Sequence, residues 1–132
     1  MTHDEFIAEY EKLAPRIFQF YTTSKKCGIL ALEEMIDSEK AGQRDILEYS
    51  IWFIVYGIDP KLLEKILSNI VQQEGDKYTR LLMEIKKEAA LQLQEGLNIR
   101  HYLVLLNSYT DIAWVDDPIV KYFDEKDSEK EK

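Results

Sequence analysis

Ile51-Trp52-Phe53-Ile54-Val55-Tyr56-Gly57-Ile58-Asp59-Pro60-Lys61-Leu62-Leu63 decides the fold class. The apolar run stops at Gly57, a residue that takes the left-handed conformation favoured at helix ends. Asp59 then offers an N-cap carboxylate, and Pro60 suits the first helical position because its missing N–H would have no partner there. The stretch therefore reads as helix, stop, cap, helix. The first of these helices, about residues 44–56, is apolar almost all round, which predicts a place at the centre of the core with Trp52, Phe53 and Tyr56 buried, their contribution to a partner-binding surface being the alternative. The second carries Leu62, Leu63, Ile66, Leu67, Ile70 and Val71 as a broad apolar stripe and turns Lys61, Glu64 and Lys65 to water.

The same grammar extends in both directions. Thr2 with Glu5 has the form of a capping box, and Phe6, Tyr10, Leu13, Ile17 and Tyr21 recur with helical period. Pro15 falls inside that pattern, so either the helix kinks there or one helix ends near Leu13 and another starts at Pro15. The following helix is expected to carry Ile17, Phe18 and Tyr21 and to run on through residues 30–36. Residues 37–43 break the periodicity and read as a connection. Downstream, Gly75 either ends a helix or bends it, and Tyr78, Leu81, Leu82, Ile85 and Ala89 resume the stripe as far as Gly96. Asn98 caps a further helix, and Asp117-Pro118 repeats the cap-plus-proline signal. The prediction is an all-α fold, an irregular bundle of about five to seven helices over residues 1–123, with residues 124–132 a charged, disordered tail.

Composition narrows the function. The chain has 132 residues, of which 45% are apolar and 32% charged. That is enough for one domain with its own core, in the balance of a folded protein. Its net charge of −8, with no basic cluster beyond Lys25-Lys26 and Lys86-Lys87, opposes binding to nucleic acid or to an anionic membrane. Cys27 is the one cysteine, which excludes an internal disulfide and fits a reducing compartment. The N-terminus is acidic where a signal peptide is basic. The run 51–56 is far short of the roughly 20 residues that span a bilayer. The expected location is cytoplasmic, with no membrane insertion.

Chemistry is hard to place on this chain. A nucleophile needs an oriented base, and Cys27 with His3 or His101 matches no motif spacing. Neither histidine has partners at metal-ligand spacing. The adjacent acids Asp4-Glu5, Glu33-Glu34 and Asp116-Asp117 point about 100° apart on a helix and read as solvated faces and caps. No phosphate loop or nucleotide fingerprint is present in the sequence. The expectation is a non-enzyme without cofactor or metal.

Ser24-Lys25-Lys26-Cys27-Gly28-Ile29-Leu30-Ala31-Leu32-Glu33-Glu34, together with the stretch from Ile46 through Gly57-Ile58-Asp59-Pro60 to Leu67, resembles the cytoplasmic helical region of MotA, the stator subunit of the bacterial flagellar motor. The likeness covers residues 22–71, in the family's order: a basic residue before a Gly, a Leu-Glu step, then a helix, a Gly-x-Asp-Pro turn and an amphipathic helix. The family's transmembrane helices have no counterpart here. In the family, charges of this region engage the rotor protein FliG, and the resemblance carries those roles to Lys25 and Glu33, with Lys26 and Glu34 repeating the spacing one step round. Eight residues of continuous helix would separate each pair by about 12 Å near one face. The resemblance implies a protein-binding component or accessory of the flagellar motor, at the inner face of the membrane. The alternative is a self-associating helical scaffold, a homo-oligomer packed through residues 51–56, with no motor role.

Overall fold

The computed structural model of the chain describes residues 1–130, and those residues form a single all-α bundle without strands. Its helices are α1 (His3–Lys12), α2 (Ala14–Cys27), α3 (Ser38–Gly42), α4 (Ile46–Val55), α5 (Pro60–Gln72), α6 (Lys77–Glu95), α7 (Ile99–Ser108) and α8 (Pro118–Lys130), with 3-10 segments at Ile29–Met35 and Trp114–Asp116. The helix beyond the expected number is α3, a short turn of helix inside the stretch read as a connection.

The caps stand where the sequence puts them. Thr2 and Glu5 form the reciprocal capping box of α1. Pro15 separates two helices rather than kinking one, with Leu13 closing α1 and opening α2. Asp59 accepts from the amides of Lys61 and Leu62, and Asn98 from that of His101. Gly75 lies between two helices, not within a bent one. Asp76 starts α6 there by accepting from Thr79 through both its backbone N–H at 2.9 Å and its hydroxyl at 2.7 Å.

Those Thr79 contacts, with a smaller contribution from the Met1 amine 3.1 Å away, bring the Asp76 carboxyl down to about 2. A folded-state pKa below the ordinary value means that the cap contributes fully above the usual carboxylate range and fades as pH falls toward 2. A carboxyl-detected NMR titration should give an Asp76 midpoint near 2 in the wild type, rising toward 3.8 in Thr79→Val.

The spine of the bundle is α6, not α4. It has 19 residues and packs against α1, α2, α4, α5 and α7. At about 1.5 Å per residue it is roughly 28 Å long. Leu82, Ile85, Leu91 and Leu93 are buried, and Ala89 and Ala90 let neighbouring helices approach closely. Tyr102 of α7 donates its hydroxyl to the Ala89 carbonyl at 2.7 Å. Burial pushes that phenol up, so it stays neutral in the core. Helix α4 shows α6 only one side: Ile46, Leu47, Ile51, Ile54 and Val55 are buried, whereas Trp52 and Tyr56 keep 41% and 67% of their surface. This short helix is flanked by α3, α5, α6 and the first 3-10 segment, and among the described residues these leave Trp52 and Tyr56 exposed. Hydrophobicity alone does not reveal that.

The tail also departs from expectation. Residues 124–130 continue α8 instead of fraying after Phe123. Glu and Lys are good helix formers, and Lys126 pairs with Glu129 at 3.4 Å while lying over the Tyr122 ring. The last two positions of the tail, 131 and 132, lie outside the described residues.

Candidate protein-binding surface

The expected charged face of Lys25, Lys26, Glu33 and Glu34 is not one helix face. Gly28 adopts φ 86°, ψ 168° and ends α2 with its N–H on the Ser24 carbonyl at 3.0 Å. That backbone region is essentially closed to residues bearing a side chain. The chain turns there into the 3-10 segment Ile29–Met35, pinned by Leu32, which is fully buried. The two lysines therefore close α2, the two glutamates ride on the segment beyond the break, and the eight-residue helical spacing does not apply. No neighbour blocks a methyl added at Gly28, so the backbone conformation alone resists it. Gly28→Ala should cost about 1–3 kcal/mol in a urea melt.

Each predicted residue has a distinct setting. Lys25 donates to the Gly96 carbonyl at 3.1 Å, and its ammonium lies 5.4 Å from the Tyr21 ring centre. Gly96 closes α6, an end where a cation offsets the helix dipole. Lys25 and Lys26 both border a cleft of about 210 Å³ with walls of Phe18, Tyr21, Ile99 and Phe123. Lys26, Glu33 and Glu34 are exposed, and none has an ion pair among the described residues.

Behind this surface lies a charge brace that sequence reasoning misses. Glu48, 2% exposed on the inner side of α4, accepts from Arg16 Nε at 2.5 Å and from the Asp37 amide at 3.1 Å. Arg16 also donates to the Met35 carbonyl and stacks over Phe20, 4.3 Å from its ring centre. One pair, its carboxylate buried and its guanidinium partly so, thus ties α2 and α4 to the chain on both sides of Ile36. The signal that could have found it is a single carboxylate on the apolar side of α4, one turn before the buried Ile51.

On the outer side of α4, Tyr49, Trp52, Phe53 and Tyr56 form a row of rings, with centres 4.9 Å apart for Tyr49–Phe53, 5.4 Å for Trp52–Phe53 and 6.1 Å for Trp52–Tyr56. Their i, i+3, i+4 spacing makes them one stripe. Trp52 walls a notch of about 150 Å³ with Ile36, Ser38, Ala41 and Gly42. A rigid aromatic stripe that is partly in water is the composition from which binding hot spots are made.

No constellation of catalytic type accompanies it among the described residues. His3 pairs with Asp111 at 2.9 Å, His101 bonds Asn98 at 3.1 Å, and Cys27 is exposed at the end of α2. Asp116 is exposed, whereas its neighbour Asp117 is fully buried as the cap of α8. Among the described residues no group of three or more His, Cys, Asp or Glu is placed to hold a metal, and no helix is long and apolar enough to cross a membrane. A broad groove of about 700 Å³ between the α1–α2 corner and α8 has an apolar floor of Ile7, Pro15 and Tyr122 and a mixed rim including Glu11 and Lys121.

Fold and surface together define a small helical domain with an open aromatic stripe and exposed charges. In comparisons with known proteins, no family model, no curated protein and no solved structure matches the chain. The likeness to the MotA cytoplasmic region therefore rests on the residues quoted from the sequence.

Proposed function

We propose that this chain is a protein-binding accessory of the flagellar motor, related to the cytoplasmic region of the stator and acting by contact rather than catalysis. The observation that carries the binding role is the exposure of Trp52 and Tyr56 on α4, inside the segment that resembles the family. Exposed rings supply affinity from desolvation, and the charges of Lys26, Glu33 and Glu34 supply partner choice and encounter rate. The motor assignment is supported by the resemblance over residues 22–71, and its partners would be rotor or stator proteins on the cytoplasmic side of the membrane.

The test is capture from cells of the source organism, with wild type and the Lys26→Glu/Glu33→Lys double variant as baits. Wild type should recover rotor or stator proteins and the charge-swapped bait should recover much less. Absence of motor proteins from both would set the motor role aside and favour the self-associating scaffold.

A further inference from the structure

The notch beside Trp52 is specific enough to name the chemistry of its occupant. Its walls come from two segments, Ile36 with Ser38, Ala41 and Gly42 on one side and Trp52 on the other. Its volume of about 150 Å³ suits one aliphatic side chain and is too small for a ring pair. Ile36 is held from behind on both sides, its preceding carbonyl by Arg16 and its following amide by Glu48. The notch is therefore preformed, and little ordering is lost on filling it.

The charge around it is acidic. Glu33, Glu34, Asp37 and Glu39 stand against Lys40 and Arg44 in residues 29–44, and Lys40 borders a different cleft with Arg16 and Lys86. Glu34 and Glu39, close in sequence to the walls Ile36 and Ser38, are exposed and have no ion pair among the described residues. A second copy of the chain is a poor occupant, because it brings the same acidic surface and the same −8 charge. Two partly exposed rings also fall well short of the roughly 800 Å² per partner that a stable dimer buries.

We infer that the Trp52 notch docks a basic amphipathic helix of a protein partner, one aliphatic side chain entering between Ile36, Ala41 and Trp52 while Lys or Arg residues a turn away meet Glu34 and Glu39. This rests on the protein-binding reading above but not on the motor assignment. The helix-in-groove mode needs an apolar pocket and complementary flanking charge; the notch supplies the first, and the net acidic segment before α4, with exposed Glu34 and Glu39, the second.

The probe is a synthetic Lys/Leu amphipathic peptide of about 18 residues, or about five helical turns. Its controls are a scramble of the same composition without an apolar face and a Glu/Leu version. Binding to the full chain is followed by calorimetry and, in a Trp114→Phe background, by Trp52 emission. The Lys/Leu peptide should bind about tenfold more tightly than either control, and Trp52→Ala and Glu34→Lys/Glu39→Lys should each weaken it about tenfold while keeping the helical circular-dichroism spectrum and a cooperative melt. Equal binding of the scramble, or binding unchanged by both variants, would overturn the inference, as would no binding of the Lys/Leu peptide. Peptide binding without capture of motor proteins would support the notch and sink only the motor assignment. Motor capture that survives Trp52→Ala undiminished, with no peptide binding, would do the reverse.

Discussion

Glu48→Ala should lower the stability of the fold by about 3–5 kcal/mol. The carboxylate is 2% exposed and satisfies both Arg16 Nε and the Asp37 amide. Its loss leaves the Arg16 Nε–H and the Asp37 peptide N–H with no protein acceptor, while the guanidinium keeps only the Met35 carbonyl and Gln19. Arg16 keeps 29% of its side-chain surface. It can turn partly to water, so the lower part of that range is the better expectation. A urea titration monitored by circular dichroism reads the effect as a shift of midpoint at constant slope. Glu33→Ala, an exposed control on the neighbouring segment, should stay within about 0.5 kcal/mol of wild type. The Arg16→Met/Glu48→Met double variant should be more stable than Glu48→Ala, because removing both charges leaves neither one buried alone. A Glu48→Ala protein as stable as the control would show that the brace does not hold the segment around Ile36.

Asp117→Ala should cost about 3 kcal/mol, more than an ordinary cap. Asp117 is fully buried and accepts from the backbone amides of Ile119 and Val120 at 2.9 and 3.2 Å, from the Tyr10 hydroxyl at 2.8 Å and from the Asn107 side-chain amide at 2.8 Å. It starts α8 and at the same time joins α1 and α7 to it. Burial, and then the neighbouring carboxylate, push the Tyr10 phenol up, which keeps it a hydrogen-bond donor at every physiological pH. Asp59 makes the same kind of cap at an exposed position. Asp59→Ala should cost only about 1 kcal/mol. Asp117→Asn keeps the cap acceptor and should fall between wild type and Asp117→Ala. Equal losses from Asp59→Ala and Asp117→Ala would contradict the joining role.

The contrast between those two aspartates marks what is legible in the sequence. Asp59-Pro60 and Asp117-Pro118 look alike on the page, and both are readable as helix starts because capping is decided by residues within one turn. That Asp117 also receives Tyr10, far earlier in the chain, depends on how α1 returns to α8, and no local pattern carries it. The same holds for Arg16 and Glu48, which lie on different helices.

The candidate surface divides along similar lines. Lys25, Lys26, Glu33 and Glu34 read as one helix face because Ile29, Leu32 and Ile36 keep helical spacing across Gly28. A 3-10 segment preserves that spacing nearly as well, while the glycine redirects the chain. Trp52 and Tyr56 read as core from hydrophobicity, yet exposure depends on which neighbours cover a helix, and the outer side of α4 is left open. Residues 124–130 read as a disordered tail because their charge masks good helix propensity.

The measurement that tests the proposed function most directly is sedimentation of the purified chain, alone and mixed with purified FliG from the same organism. A 15.6 kDa species alone and a heavier complex in the mixture, lost with Lys26→Glu/Glu33→Lys, is the result expected of a motor accessory. A chain that self-associates and leaves FliG free would contradict it and make the scaffold the better account.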